Sequence, residues 1–237
     1  MKFSFSRIRY GVAAFSLVEL MVVVLIVSVL MALGFSVMRG GRANAEKARC
    51  VAHLRQAGQE VLMLIGENDQ VLEVFARGAP EVKMWGRRIA IEINQKEREH
   101  LRCPSAPVAF AIDHVNWYWS TYGINVFDPQ GVRSSDLRPG EYLYRVAVVN
   151  VESPAQFLLL ADSGGKGKNA DGERTQVFRL DNATESGVVA RHDGHAHLYF
   201  LDGHLESVAE ARFNDYVMPY YDAEDNFHPA PIAPMTP

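Results

Sequence analysis

Four of the eight histidines, His192, His195, His197 and His204, fall within 13 residues near the C-terminus. Asp193-Gly194 between the first two is a strong signal for a two-residue hairpin, because a type I′ turn needs positive φ at both central positions. Such a turn sets His192 opposite His195, and the two-residue period of a strand puts His197 on their side. Three imidazoles on one face, His192, His195 and His197, are candidate ligands for a transition metal. The plainer reading is a solvated sheet face with one histidine supporting the turn, and it carries more weight. His204 pairs near Leu201, at the far end of the return strand, and stands apart from the trio.

Other chemistry finds little support. No Gly-x-Ser-x-Gly nucleophile elbow occurs. The run Gly164-Gly165-Lys166-Gly167-Lys168-Asn169 lacks both the glycine spacing and the Ser/Thr of a P-loop. Net charge is −4, with 24 Lys and Arg against 28 Asp and Glu, so no basic surplus points to nucleic acid. The chain is therefore read as no enzyme, with no cofactor. Cys50 and Cys103 are candidates for one disulfide if the domain faces an oxidising compartment, or for two separate buried thiols. Trp117 and Trp119 share one strand face and Tyr118 and Tyr122 the other, and core packing outweighs a binding surface for them.

The elements that would position these groups begin with an unusual N-terminus. Residues 1–14 carry Lys2, Arg7 and Arg9 and no acid. Residues 15–37 hold a single charge, Glu19. As a helix, that stretch is long enough to cross roughly 30 Å of hydrocarbon, and too long for the core of a cleaved secretory signal. A carboxylate inside such a run costs about 2.5–3.5 kcal/mol at the helix centre, which calls for a compensating role, unless Glu19, only five residues into the run, reaches the headgroup layer. Residues 38–66 continue as an amphipathic helix, with Cys50, Leu54, Ala57, Val61 and Leu64 on one stripe and Glu60 mostly off it. Gly66 and Asn68-Asp69 supply the stop.

Residues 67–218 read as a globular α+β head. A short helix is expected around 85–99, and strands over 108–112, 117–122, 142–151, 157–161 and 176–180. A three-strand meander is expected over 188–192, 195–201 and 204–208, with Asp202-Gly203 as a second two-residue turn. Residues 162–174 read as an exposed loop. Residues 219–237 hold five of the 11 prolines and read as an irregular tail. Helix first and strands later implies an antiparallel sheet packed on the long helix.

Phe15-Ser16-Leu17-Val18-Glu19 resembles the prepilin processing signature, in which a short basic leader precedes Phe-Thr-Leu-Ile-Glu. The resemblance implies that a membrane peptidase cuts between Ala14 and Phe15 and that the new amine is methylated. Glu19 then occupies the fifth mature position and would neutralise the ammonium group of a neighbouring subunit. Ala14 departs from the glycine usual before the cut. A second resemblance joins it: His192, nine residues and Asp202-Gly203 are similar to the prepilin-type processing-associated H-x(9)-D-G domain. Cys50-Val51-Ala52-His53-Leu54-Arg55-Gln56, Cys103-Pro104, Tyr122-Gly123-Ile124-Asn125 and Leu160-Ala161-Asp162-Ser163 are similar to further blocks of that family, in its order.

Together these imply a pilin-like α+β subunit of a type II secretion-like or type IV pilus-like fibre. Its head would face the periplasm from a single-pass inner-membrane anchor. The implied partners are the membrane, the prepilin peptidase/methyltransferase and other pilin-like subunits. The pseudopilin resemblance also raises a calcium in a C-terminal loop, for which Asp162, Asn169, Asp171 and Glu173 supply oxygens; their spacing is not that of a calcium loop and Lys166 and Lys168 oppose a cation, so an exposed loop is the stronger reading. The competing function is a membrane-tethered metal- or ligand-binding module that does not polymerise.

Overall fold

The computed structural model describes residues 16–77, 83–92, 99–111, 113–126, 142–182 and 184–230. The chain divides into two units, residues 1–45 and residues 46–237. One continuous helix, α1 (Leu17–Glu67), runs through both ranges, unbroken at Gly40-Gly41. In the first unit the described side chains from Leu17 to Met31 are all exposed, although all but Glu19 and Ser28 are apolar. Among the described residues no helix is long and apolar enough to cross a membrane. Ala14 and Phe15, the expected cut, lie outside the described residues.

In the second unit the stripe read from the sequence is the buried face of α1: Cys50, Leu54, Ala57 and Val61 are fully buried and Leu64 nearly so. Glu60 is a correction. It lies on the buried side, where its Oε2 meets His100 Nε2 at 2.7 Å. Asn68 Nδ2 donates to Leu64 O at 2.7 Å, and Asp69 and Gln70 take positive φ, which ends the helix at the expected place.

The remaining elements are β1 (Val71–Arg77), β2 (Lys83–Met84), α2 (Trp85–Glu92), β3 (Gly123–Asn125), β4 (Tyr142–Ala147), β5 (Leu158–Ala161), β6 (Ser163–Gly164), β7 (Arg179–Leu180), β8 (Gly187–Val188), β9 (His195–Phe200), β10 (Leu205–Ala209), β11 (Tyr220–Tyr221) and β12 (Phe227–His228). They form sheets ordered β2-β1-β4, β10-β9-β5-β3-β7 and β12-β11-β8-β6. Pairing is antiparallel except between β3 and β7 and between β8 and β11. The α+β class thus holds, with residues 46–67 of α1 packed on the five-stranded sheet.

β9 is buried on both faces. Tyr199 belongs with Leu54 and Val61 to the helix-side core, whereas Ala196, Leu198 and Phe200 join Phe213 and Met218 on the other. In β5 that alternation breaks: Leu158 and Ala161 face away from α1 and Leu159 and Leu160 toward it, across a register shift between Leu158 and Leu160. A bulge flips the parity of the residues beyond it. Asp162, two residues after Leu160, therefore turns to the helix side.

Several expected strands are corrected. Residues 108–111 make one isolated bridge, Val108 to Gln176, and Ile112 lies outside the described residues. Trp117–Trp119 is a 3₁₀ turn, and Ser120 Oγ accepts from the amides of Ala109 and Phe110. Aromatic content there reports burial, not backbone, since Trp117, Tyr118 and Tyr122 are core residues. Residues 148–150 turn into 3₁₀. Of the helix expected over 85–99, Trp85–Glu92 is helical, residues 93–98 lie outside the described residues, and Glu99 opens a 3₁₀ turn. The meander does not form. β9 pairs with β10 and β5, while β8 belongs to the other sheet. Residues 219–230 are ordered strands and turns, not an irregular tail, because Tyr220 and Tyr221 are buried against β8.

Candidate functional site

The N-terminal signature begins where α1 begins. Ser16 is the residue before the helix, and its backbone N–H donates to Glu19 Oε2 at 3.0 Å. Its hydroxyl accepts from the Val18 amide at 3.4 Å. This is the Glu half of a capping box, Ser-x-x-Glu, which satisfies an amide that the helix leaves free. A carboxylate at this end also suits the helix dipole. Glu19 thus has a local role in the described chain: it fixes where the helix starts, next to the expected cut.

In the head, the histidine region resolves differently from the sequence reading. Asp193 and Gly194 do both take positive φ, 52° and 73°. His192 and His195 exchange backbone hydrogen bonds of 3.0 and 3.1 Å across that turn. Yet the three rings do not converge. His195 Nδ1 bonds Asp193 O at 2.9 Å, and His192 stacks flat on His197, 4.5 Å between centroids. Stacked rings present their faces, not their nitrogens, to each other, so His192, His195 and His197 are not a ligand set. Among the described residues neither ring nitrogen of the fully buried His197 meets a hydrogen-bond partner, and burial chiefly pushes its pKa down to about 4.

Asp202-Gly203 is a turn of another type. Only Gly203 has positive φ, 91°, while Gly203 N bonds Phe200 O and Phe200 N bonds His204 O. That pattern is a three-residue loop with a left-handed glycine. The extra residue brings His204 onto Phe200, ring on ring at 4.3 Å, instead of near Leu201. Slight burial would raise the Asp202 carboxyl, but the amide and ring of His204 outweigh it and hold it below the usual range. His192 and Asp202-Gly203 thus sit at opposite ends of β9, and the motif is not one site.

His192 belongs to a different group. Its Nε2 lies 3.4 Å from Cys103 Sγ and 3.6 Å from Asp162 Oδ2. Cys50 Sγ is 3.4 Å from Asp162 Oδ1. Cys50 and Cys103 stand at disulfide contact, with Cα atoms 4.8 Å apart, inside the usual range for a bridge. Tyr122 Oη donates to Cys50 O at 3.0 Å and lies 3.3 Å from its sulfur. His53 Nδ1 meets the Arg102 carbonyl at 3.1 Å, tying the two cysteine segments together.

Burial dominates the electrostatics here. Asp162 is fully buried, and its carboxyl rises to about 7 although the His197 amide and Arg191 pull it down. Tyr122 is raised well above its ordinary value by burial and by Asp162. His192 is lowered by burial, then by Lys47 and Arg191. The oxygens weighed and set aside for calcium are dispersed: Asp162 points inward, while Asn169 Oδ1 accepts from the amides of Asp171 and Glu173 in a local turn. The loop is exposed over residues 166–168 and 170–173, not from Asp162. The sequence singles out each member of the Cys50, Cys103, Asp162 and His192 group but does not assemble them. A signal exists, because each lies in a different short block of the H-x(9)-D-G resemblance.

Residues 9–35 match the family model of the prokaryotic N-terminal methylation motif. No curated protein and no solved structure matches the chain.

Proposed function

We propose that this chain is a prepilin-like subunit. A prepilin peptidase cuts between Ala14 and Phe15 and methylates the new amine. Residues 15–37 hold the protein in a bacterial inner membrane, with the head in the periplasm. Pilin-like subunits then pack through their N-terminal helices into a type II secretion-like or type IV pilus-like fibre. The observation that carries this reading is the coincidence of the methylation motif over residues 9–35 with the start of α1 at Leu17. Exposed apolar side chains from Leu17 to Met31 support it, because so much apolar surface needs lipid or other helices to cover it. The head resembles the H-x(9)-D-G domain in its sequence blocks, and its role is structural.

Cross-linking between copies in the native membrane tests the reading. Glu19→Ala is expected to yield a processed chain that no longer cross-links, whereas His195→Ala assembles normally. Assembly that tolerates Glu19→Ala would favour a tethered module that does not polymerise.

A further inference from the structure

Cys50, Cys103, Asp162 and His192 converge from four separate parts of the head. Cys50 comes from α1, Cys103 from the segment after a 3₁₀ turn, Asp162 from the bulged end of β5, and His192 from the turn before β9. Their sequence separations are large: 53 residues between the cysteines, 112 from Cys50 to Asp162, and 89 from Cys103 to His192. All four are buried, and one ligand atom from each lies within 4.8 Å of the other three. Such convergence of four ligand-type side chains in the buried interior needs a physical reason.

A disulfide accounts for the two sulfurs alone. It leaves a fully buried carboxylate and an imidazole facing the bridge, with the desolvation of Asp162 only partly offset by the His197 amide at 2.9 Å and by Arg191. A divalent cation would account for all four. Two sulfurs, one nitrogen and one oxygen are a tetrahedral zinc-type donor set. Bond lengths of about 2.3 Å to sulfur and about 2.0–2.2 Å to nitrogen and oxygen imply tetrahedral edges of roughly 3.3–3.8 Å. Cys50 Sγ to Asp162 Oδ1 and Cys103 Sγ to His192 Nε2, at 3.4 Å each, fall in that range. His192 Nε2 lies 3.6 Å from the other Asp162 oxygen, Oδ2, and the two sulfurs, at disulfide contact, must move apart to about 3.8 Å to share a cation.

The surroundings also fit. The His197 amide orients Asp162, Tyr122 Oη lies against Cys50, and His197 stacks on His192, so groups beyond the four hold three of them in place. Two thiolates and a carboxylate bring three negative charges, which a divalent cation reduces to one.

We propose that Cys50, Cys103, Asp162 and His192 form a structural binding site for a zinc-class divalent cation in the thiol state of the head. Binding replaces the protons of the two thiols, which leave to solvent. A two-electron oxidant of the disulfide class converts the same thiols to the Cys50–Cys103 bridge and closes the site. Metal and bridge are thus alternative locks on one core, and the site is independent of whether the N-terminus is processed.

The test uses the full chain in detergent, treated with a phosphine reductant, freed of it, and titrated anaerobically with Co²⁺ and then Zn²⁺. One Co²⁺ per chain is expected, with a sulfur-to-cobalt charge-transfer band, the strong visible bands of a tetrahedral site, and bleaching by one Zn²⁺. Cys50→Ser abolishes the charge-transfer signature. Asp162→Asn and His192→Ala each weaken zinc by about 100-fold or more, beyond what an outer partner costs. His195→Ala leaves it unchanged. Thiol counting on the wild type guards against variants that fail to fold: two reactive thiols without metal become protected by one equivalent of Zn²⁺. Reduced wild-type chain that takes up less than one cobalt, or shows no sulfur charge transfer, overturns the proposal and leaves a disulfide alone. So does binding indifferent to both Asp162→Asn and His192→Ala.

Discussion

Gly58 is the point of closest approach between α1 and the five-stranded sheet. A Cβ built there would meet Tyr199 Cε1, Cδ1 and Cζ at 2.3, 2.4 and 2.5 Å. Carbon atoms prefer separations of about 3.5–4.0 Å, so the ring or the helix must retreat by roughly 1 Å or more. Tyr199 has little room to do so. It is 1% exposed, and its backbone is paired with Leu205 on one side and Leu160 on the other. Overpacking of this kind costs about 1–3 kcal/mol, while replacing a helical glycine by alanine returns about 1 kcal/mol. Gly58→Ala is therefore expected to lose about 0–2 kcal/mol, about 1–3 kcal/mol more than the same change makes where the Cβ has room. Gly66→Ala is the internal control: it lies in the same helix, and nothing stands within 4 Å of its Cβ position. It should be neutral or gain up to about 1 kcal/mol. Denaturant unfolding of the full chain in detergent, monitored by Trp85, Trp117 and Trp119 fluorescence, reads both. Gly58→Ala as stable as Gly66→Ala would refute the tight helix–sheet contact.

Three more outcomes are expected from the same structure. Glu60→Ala leaves the buried His100 ring without this partner and should cost about 1–3 kcal/mol in the same unfolding assay, with Glu60→Gln milder. Gly203→Ala forces a side chain into a positive φ of 91° and should cost about 1–2 kcal/mol, visible as a lower denaturation midpoint. Asp222 accepts from His228 Nε2 at 2.8 Å and from Asn226, which lowers its carboxyl to about 2. Because the folded value is depressed, the stability it contributes is full above the unfolded value near 3.8 and lost as pH falls toward 2. Carboxylate NMR should therefore show Asp222 titrating near 2, with the β11–β12 turn loosening only below about pH 4.

Local periodicity makes part of this fold legible, and long-range geometry hides the rest. The stripe from Cys50 to Leu64 can be read because a 3.6-residue repeat needs no partner to declare itself. Glu60 falls outside the stripe on sequence grounds because its reason for burial, His100, lies 40 residues away. Residues 117–122 look like a strand because aromatic residues mark burial, yet Ser120 ties that segment into a turn. The His192–His195 turn is legible at the backbone, but the side chains go elsewhere: His197 onto His192, and His195 back to its own turn. Asp162 reads as the start of an exposed loop. Its inward direction depends on the irregularity between Leu158 and Leu160, which one strand's sequence does not display. The convergence of Cys50, Cys103, Asp162 and His192 is a property of topology, so four short blocks can be noted one by one without their common centre.

Processing and display as a prepilin-like subunit require a cut between Ala14 and Phe15. The most direct measurement is the intact mass and N-terminal residue of the protein purified from its native membrane. A chain that begins at N-methylated Phe15 is the expected result. A chain that still begins at Met1 would contradict the account and leave the head as a tethered module.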